Sequence, residues 1–166
     1  MLTIQERALC QNLIDQSSSD IIQTLYEFIN NDIVKNSITK DKEGKKQFND
    51  FMEAAIRASS IAELELYIAY KGTKRGSEKI WKDLAKPTID HIKPDGALKL
   101  ISEQIKDVAL KKHEQDLSFD DIHIEVVRRF AGYLMWKAHI MIEEKLRQYS
   151  KNQANRNNYG RGRNVQ

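Results

Sequence analysis

The chain has 166 residues, of which 40% are hydrophobic and 31% charged, enough for one packed domain and too few for two. Its formal net charge of +3 comes from its end: Lys151, Arg156, Arg161 and Arg163 add four positive charges and no acid past Tyr149, so residues 1–149 are close to neutral and basic groups there must cluster to matter. A single cysteine, Cys10, excludes an intrachain disulfide framework and any Cys-x-x-Cys metal site, suits a reducing cytoplasm, and is expected to be a small buried apolar residue.

The opening "MLTIQERALC" reaches an acid and a base by its seventh residue and contains no long apolar run, so neither a secretory signal nor a membrane span is expected. Only two prolines and seven glycines interrupt the chain, and apolar residues recur at helical spacing, so the fold class is all-α: a single-domain bundle of five or six helices. A first helix covers residues 3–15, and Asp20 caps a second that runs to Val34 or Lys35. "NSITKDKEGKKQ" reads as a polar loop. A third helix spans residues 47–70, with Phe48, Met52, Ala55, Ala62, Leu66 and Ala69 on one side, and with Ala54, Ala58 and Ser59 small enough for a close helix crossing. A short helix, "EKIWKDLAK", ends at Pro87, and a fifth covers residues 96–113. Ser118 and Asp121 resemble a capping box at the start of a long final helix over residues 119–149. The domain therefore spans residues 1–149, and residues 150–166 form a polar basic tail without enough apolar surface to order itself.

On a helical wheel the apolar residues of that final helix, among them Trp136, Ile140, Tyr133, Phe130, Val126, Val127, Leu134 and Ile142, sweep over half the circumference. The helix is therefore expected to be largely buried, with Phe130, Tyr133 and Trp136 packing in the core rather than stacking on nucleotide bases. The polar strip holds Glu125, Arg128, Arg129, Gly132, His139, Glu143 and Arg147, with Glu125 and Arg129 at ion-pair spacing. Lys137 and Glu144 project from the apolar arc, either to snorkel or to meet a neighbouring subunit.

The strongest basic cluster is "YKGTKRGSEKIWK", where Lys71, Lys74, Arg75, Lys79 and Lys82 face only Glu78, and where Gly72 and Gly76 leave backbone amides accessible. Such a loop suits phosphate contact without base reading, although a solvated interhelical loop has the same composition. It is not a phosphate-binding loop of the G-x-x-x-x-G-K-[ST] type. The histidine–acid neighbours His113-Glu114, His123-x-Glu125 and Asp90-His91 match no zinc or metalloprotease spacing. From Arg129 the next histidine is His139, beyond the Arg-x4–6-His spacing of a helical RNase of the HEPN type. No enzyme activity, metal or cofactor is expected.

Three segments in order, "LELYIAYKGTKR", "IWKDLAKPTIDHI" and "FAGYLMWKAH", resemble elements of the small helical subunit of type III CRISPR effector complexes. The resemblance covers residues 48–149. It implies a noncatalytic subunit that stacks with copies of itself beside the other effector subunits and contacts the backbones of guide RNA and target RNA. It carries over Lys71, Lys74 and Arg75, together with Lys137. Arg128 and Arg129 join the expected RNA-binding set from their place on the polar strip of the helical wheel, and Lys79, Lys82, Arg161 and Arg163 join it on charge. The competing readings are a helical protein–protein adaptor with no nucleic-acid role and a metal-dependent nuclease using His113, His123, Glu125 and His139.

Overall fold

The computed structural model describes residues 2–40, 44–74 and 79–161, with side chains excepted at 79 and 155–161. Among these residues there are eight helices and no strand: α1 (Ile4–Gln16), α2 (Ser18–Asn30), α3 (Asp32–Ile38), α4 (Gly44–Arg57), α5 (Ile61–Thr73), α6 (Lys79–Ile92), α7 (Lys99–His113) and α8 (Phe119–Arg161). The all-helical class is as the periodicity requires, but the count exceeds five or six because two expected helices are each divided by a cap. At Asn31 the backbone is extended, and the side-chain carbonyl accepts from the amides of Ile33 (3.0 Å) and Val34 (3.4 Å), ending α2 and starting α3. At residues 58–60 the Ser60 hydroxyl accepts from the Glu63 amide (3.2 Å), and the Glu63 carboxylate accepts from the Ser59 amide (2.8 Å). Short polar side chains that bond to nearby amides compete with helix continuation, and here they win.

The second break resets the register. Ile61, Leu64, Ile68 and Lys71 form the buried face of α5, while Leu66, expected on the apolar side of an unbroken helix, is 72% exposed. Asp20 lies in the first turn of α2 and is not its cap. Helix α6 runs through Pro87 instead of ending there. Proline removes the hydrogen bond to the carbonyl four residues back, but Ile80, Trp81, Leu84, Thr88 and Ile92 continue one buried face across it, and that packing outweighs the missing bond. Helix α7 ends on Glu114 in the left-handed conformation (φ 54°, ψ 29°), whose amide reaches back to the carbonyl of Leu110. Gly96 is required before it, because a Cβ there would stand 2.6 Å from the carbonyl oxygens of Asp90 and His91.

Helix α8 is the axis of the bundle, packing against α4, α7, α2, α1 and α3. Ile122, Val126, Val127, Phe130, Ala131, Leu134, Ala138 and Ile142 are buried in the core, as the wheel indicates. Trp136 is the correction: it is 62% exposed, and Ile140 is 50% exposed. The apolar arc is wider than the face its neighbours cover, so its edge is left in solvent. The α5–α6 hairpin docks through Trp81, whose ring lies 5.5 Å from Phe51 and 6.2 Å from Phe48. Phe28 of α2, His91 of α6 and Phe130 of α8 meet in one aromatic cluster, with ring centroids 4.7 to 5.7 Å apart.

Cys10 is fully buried, and burial pushes its thiol up to about 11, so it packs as a small apolar group. Beyond Tyr149 the backbone of α8 stays helical to Arg161, with residues 150–154 exposed. Among the described residues no helix is long and apolar enough to cross a membrane.

Candidate nucleic-acid interface

The expected RNA-binding residues fall in separate places. Lys71 sits on the buried face of α5, its ammonium 3.9 Å from the Asp50 carboxylate of α4 and 5.8 Å from the centre of the Tyr67 ring. It therefore ties α5 to α4. Gly72 also serves packing, not amide access: it is helical, and a Cβ there would stand 2.8 Å from that of Ala85 on α6. Lys74 caps the C-terminus of α5 and is exposed, as is Lys82 on the first turns of α6. Arg75, Gly76 and Arg163 lie outside the described residues, as do the side chains of Lys79 and Arg161.

Arg128 and Arg129 sit at the other end of α5, roughly 20 Å from Lys74 at 1.5 Å per residue. Arg128 donates through Nε to the carbonyl of Ala55 (3.0 Å) and through its terminal nitrogens to the Ala58 carbonyl (2.7 Å) and the Glu125 carboxylate (2.5 Å). It thereby satisfies the last carbonyls of α4, the groups a helix C-terminus leaves without partners. Arg129 pairs with Asp15 of α1 (2.6 Å) and lies 3.4 Å from the Gln11 side-chain oxygen, instead of pairing with Glu125. Lys137 lies over the Tyr26 ring of α2, 5.4 Å from its centre. These three cations hold helices together, which a sequence without its folded neighbours does not reveal.

A basic group not anticipated from the sequence joins Lys74 and Lys82. The start of α4 approaches both α8 and α6, since a Cβ on Gly44 would touch Ile142 (3.0 Å) and Ile80 (3.8 Å). Around that junction Lys40 pairs with Asp83 (3.4 Å), the residue after Lys82, and Lys45 pairs with Glu143. Lys145 donates to the carbonyl of Thr39 (2.7 Å) and lies 5.8 Å from the Tyr149 ring centre. Thr39, Lys40, Ile142, Lys145, Leu146 and Tyr149 line an open cleft of about 460 Å³ here. The sequence signal for it is "TKDKEGKK", where lysines outnumber acids; the helices that meet there are far from it in the chain, so no local pattern announces them.

The histidines are dispersed. His123 is fully buried and bridges two elements: Nε2–H donates to the carbonyl of Ile92 (2.8 Å), leaving Nδ1 to accept from the Ser102 hydroxyl (2.8 Å). Burial holds it below the ordinary histidine range. His139 Nε2 meets the carbonyl of Lys45 (3.2 Å), His113 is exposed at the end of α7, and Glu125 is engaged by Arg128 and Gln11. Among the described residues no three His, Cys, Asp or Glu side chains are grouped to hold a metal ion.

Comparison of the chain with family models, with curated proteins and with solved structures finds no match.

Proposed function

We propose that the protein is a noncatalytic small subunit of a type III CRISPR ribonucleoprotein, lying along guide and target RNA and contacting phosphate without reading bases. The observation that carries this reading is that Lys40, paired with Asp83, and Lys145, bonded to the carbonyl of Thr39, meet beside the first turns of α6, which carry the exposed Lys82, with the exposed Lys74 at the end of the preceding helix. The described part of this region has no deep pocket for a flipped base; its cleft is open and its cations are spread, which suits a backbone and not a base edge. The ordered resemblance of three segments supports the same reading.

Replacing Lys74 and Lys82 together (Lys74→Gln, Lys82→Gln) is expected to weaken binding of single-stranded RNA while leaving the helical content unchanged, since both residues are exposed and neither substitution sets an anion at the C-terminus of α5. Each phosphate that is no longer neutralised lowers the log–log salt slope by about 0.7 on a single strand. The check is RNA affinity across a salt series, repeated with a guide–target duplex. Unaltered affinity and slope on both would remove the phosphate role and favour a protein–protein adaptor, for which the exposed Trp136 and Ile140 are the supporting feature.

A further inference from the structure

On the outer face of α8, whose inner face is core, Trp136 and Ile140 stand one turn apart and mostly in solvent, an adjacent apolar pair and not scattered single residues. Four residues before Trp136, on the same face, is Gly132, where a Cβ would meet nothing within 4 Å. The stripe thus has a projecting indole, a projecting isoleucine and a notch. On a helix, positions four, seven and eleven residues away in either direction share one face. Counting outward from Trp136, the pairs are Gly132 with Ile140, Arg129 with Glu143, and Glu125 with Arg147. Each pairs a notch with a bulk, or a charge with its opposite.

We propose that two copies of this chain pair antiparallel through this stripe of α8, on a two-fold axis passing beside Trp136. Reversing the helix onto itself brings Ile140 of one copy to the Gly132 notch of the other, and sets Arg129 against Glu143 and Glu125 against Arg147. A parallel pairing would put every charge against its own sign. An antiparallel pairing shifted to bring Trp136 onto Gly132 would oppose Glu125 with Glu143. The order of residues therefore selects one register, and a self-complementary patch is what a two-fold interface requires. The charges are already braced on their own chain, Arg129 by Asp15, Glu143 by Lys45 and Glu125 by Arg128, so they set the register more than they add affinity. Burial of the indole and the isoleucine supplies the attraction.

The same stripe suits nucleic acid poorly, because its centre is apolar and the cations beside it, Arg128 and Arg129, are already held by backbone carbonyls, Glu125 and Asp15. The pairing does not rest on the RNA reading and uses none of Lys40, Lys74, Lys82 or Lys145.

The test is sedimentation of the full chain over a concentration series without RNA. The expected result is a reversible dimer of twice 19.3 kDa. Trp136→Ala is expected to weaken it at least about tenfold while the thermal midpoint of the dilute, monomeric protein stays in place. Trp81 is buried, so the concentration-dependent blue shift of tryptophan emission reports Trp136. For the register, Gly132→Cys mixed with Ile140→Cys is expected to form an interchain disulfide under oxidised glutathione, with Cys10 silent in the core. Either variant alone is expected to form none, because like positions then lie about 12 Å apart along the axis, beyond disulfide reach. A monomer at all concentrations overturns the proposal, as does a dimer indifferent to Trp136→Ala. A disulfide within either variant alone overturns the register, and with it the pairing as stated. A shift of Trp136 emission by RNA in a protein that stays monomeric reassigns the stripe to nucleic acid.

Discussion

Phe130→Ala is expected to destabilise the fold by about 3–5 kcal/mol, and Trp136→Ala, six residues further along the same helix, by less than about 0.5 kcal/mol. The two side chains are both large aromatics on α8, and only their surroundings differ. Phe130 is fully buried between Phe28 and His91, so its loss leaves a cavity where α2, α6 and α8 meet. Trp136 is mostly in solvent and touches chiefly the Tyr133 ring at 5.8 Å, so its removal opens no void. Urea unfolding of the two variants at low protein concentration, where self-association does not contribute, gives the comparison directly. Equal losses would show that the outer face of α8 is covered within the monomer.

Stability is expected to fall by about 3 kcal/mol between pH 6.5 and pH 4 on account of His91 alone. This imidazole is 8% exposed, its Nε2 has no hydrogen-bond partner, and burial holds its pKa down to about 4 against 6.5 unfolded. The unfolded chain therefore takes up a proton that the folded chain refuses, so stability is complete above 6.5 and drains away as pH falls towards 4. His123 is displaced in the same direction by the same cause and adds to the slope. Carboxylates act in the same direction at the lower end of this window: Glu6, Glu63, Asp90 and Glu143 are held below the ordinary carboxylate range by bonds from Thr3, Ser59, Lys86 and Lys45. The stability they contribute begins to fall once the unfolded carboxylates take up protons below about pH 5, so the histidines alone set the slope above it. His91→Phe, which keeps the ring stacking and deletes the orphaned nitrogen, is expected to flatten the acid limb by most of that amount. Urea midpoints from pH 7 to pH 4.5 measure it, and a variant with an unchanged slope would show that His91 is not the group responsible.

The helical class, the long final helix and the burial of Phe130 and Cys10 were legible because each rests on periodicity or on side-chain character, which neighbours do not change. The breaks at Asn31 and Ser60 were harder, because a polar residue inside a periodic run is either an exposed helical position or a cap, and only the folded amide geometry decides. Pro87 is the opposite case: its local cost argues for a helix end, while the apolar face that runs past it argues for continuation, and the packing of that face decides. Trp136 shows the limit of the wheel, which gives the width of an apolar arc but not how much of it the other helices cover. Among the basic residues, Lys74 and Lys82 lie exposed as their loop suggested, whereas Lys71, Arg128, Arg129 and Lys137 are engaged with carboxylates, carbonyls or rings from distant parts of the chain. Those partners are separated from them in sequence by up to 118 positions, as between Arg129 and Gln11, and no local pattern announces them.

The place of α8 at the centre of the bundle bears on how the protein is made. A ribosome delivers the chain from its N-terminus at about 5–20 residues per second, so α1 to α7 emerge before the helix they surround. Until then the faces of α4, α7 and α2 that pack on α8, Phe28 among them, have no partner, and the nascent chain presents apolar surface to whatever is nearby. Closure waits on the segment from Ile122 to Ile142, the last part of the core to be synthesised. A stop or frameshift anywhere before it therefore yields not a smaller domain but an adhesive remnant, and the cell's chaperones and proteases, rather than its nucleic acids, are the first partners such a product would meet.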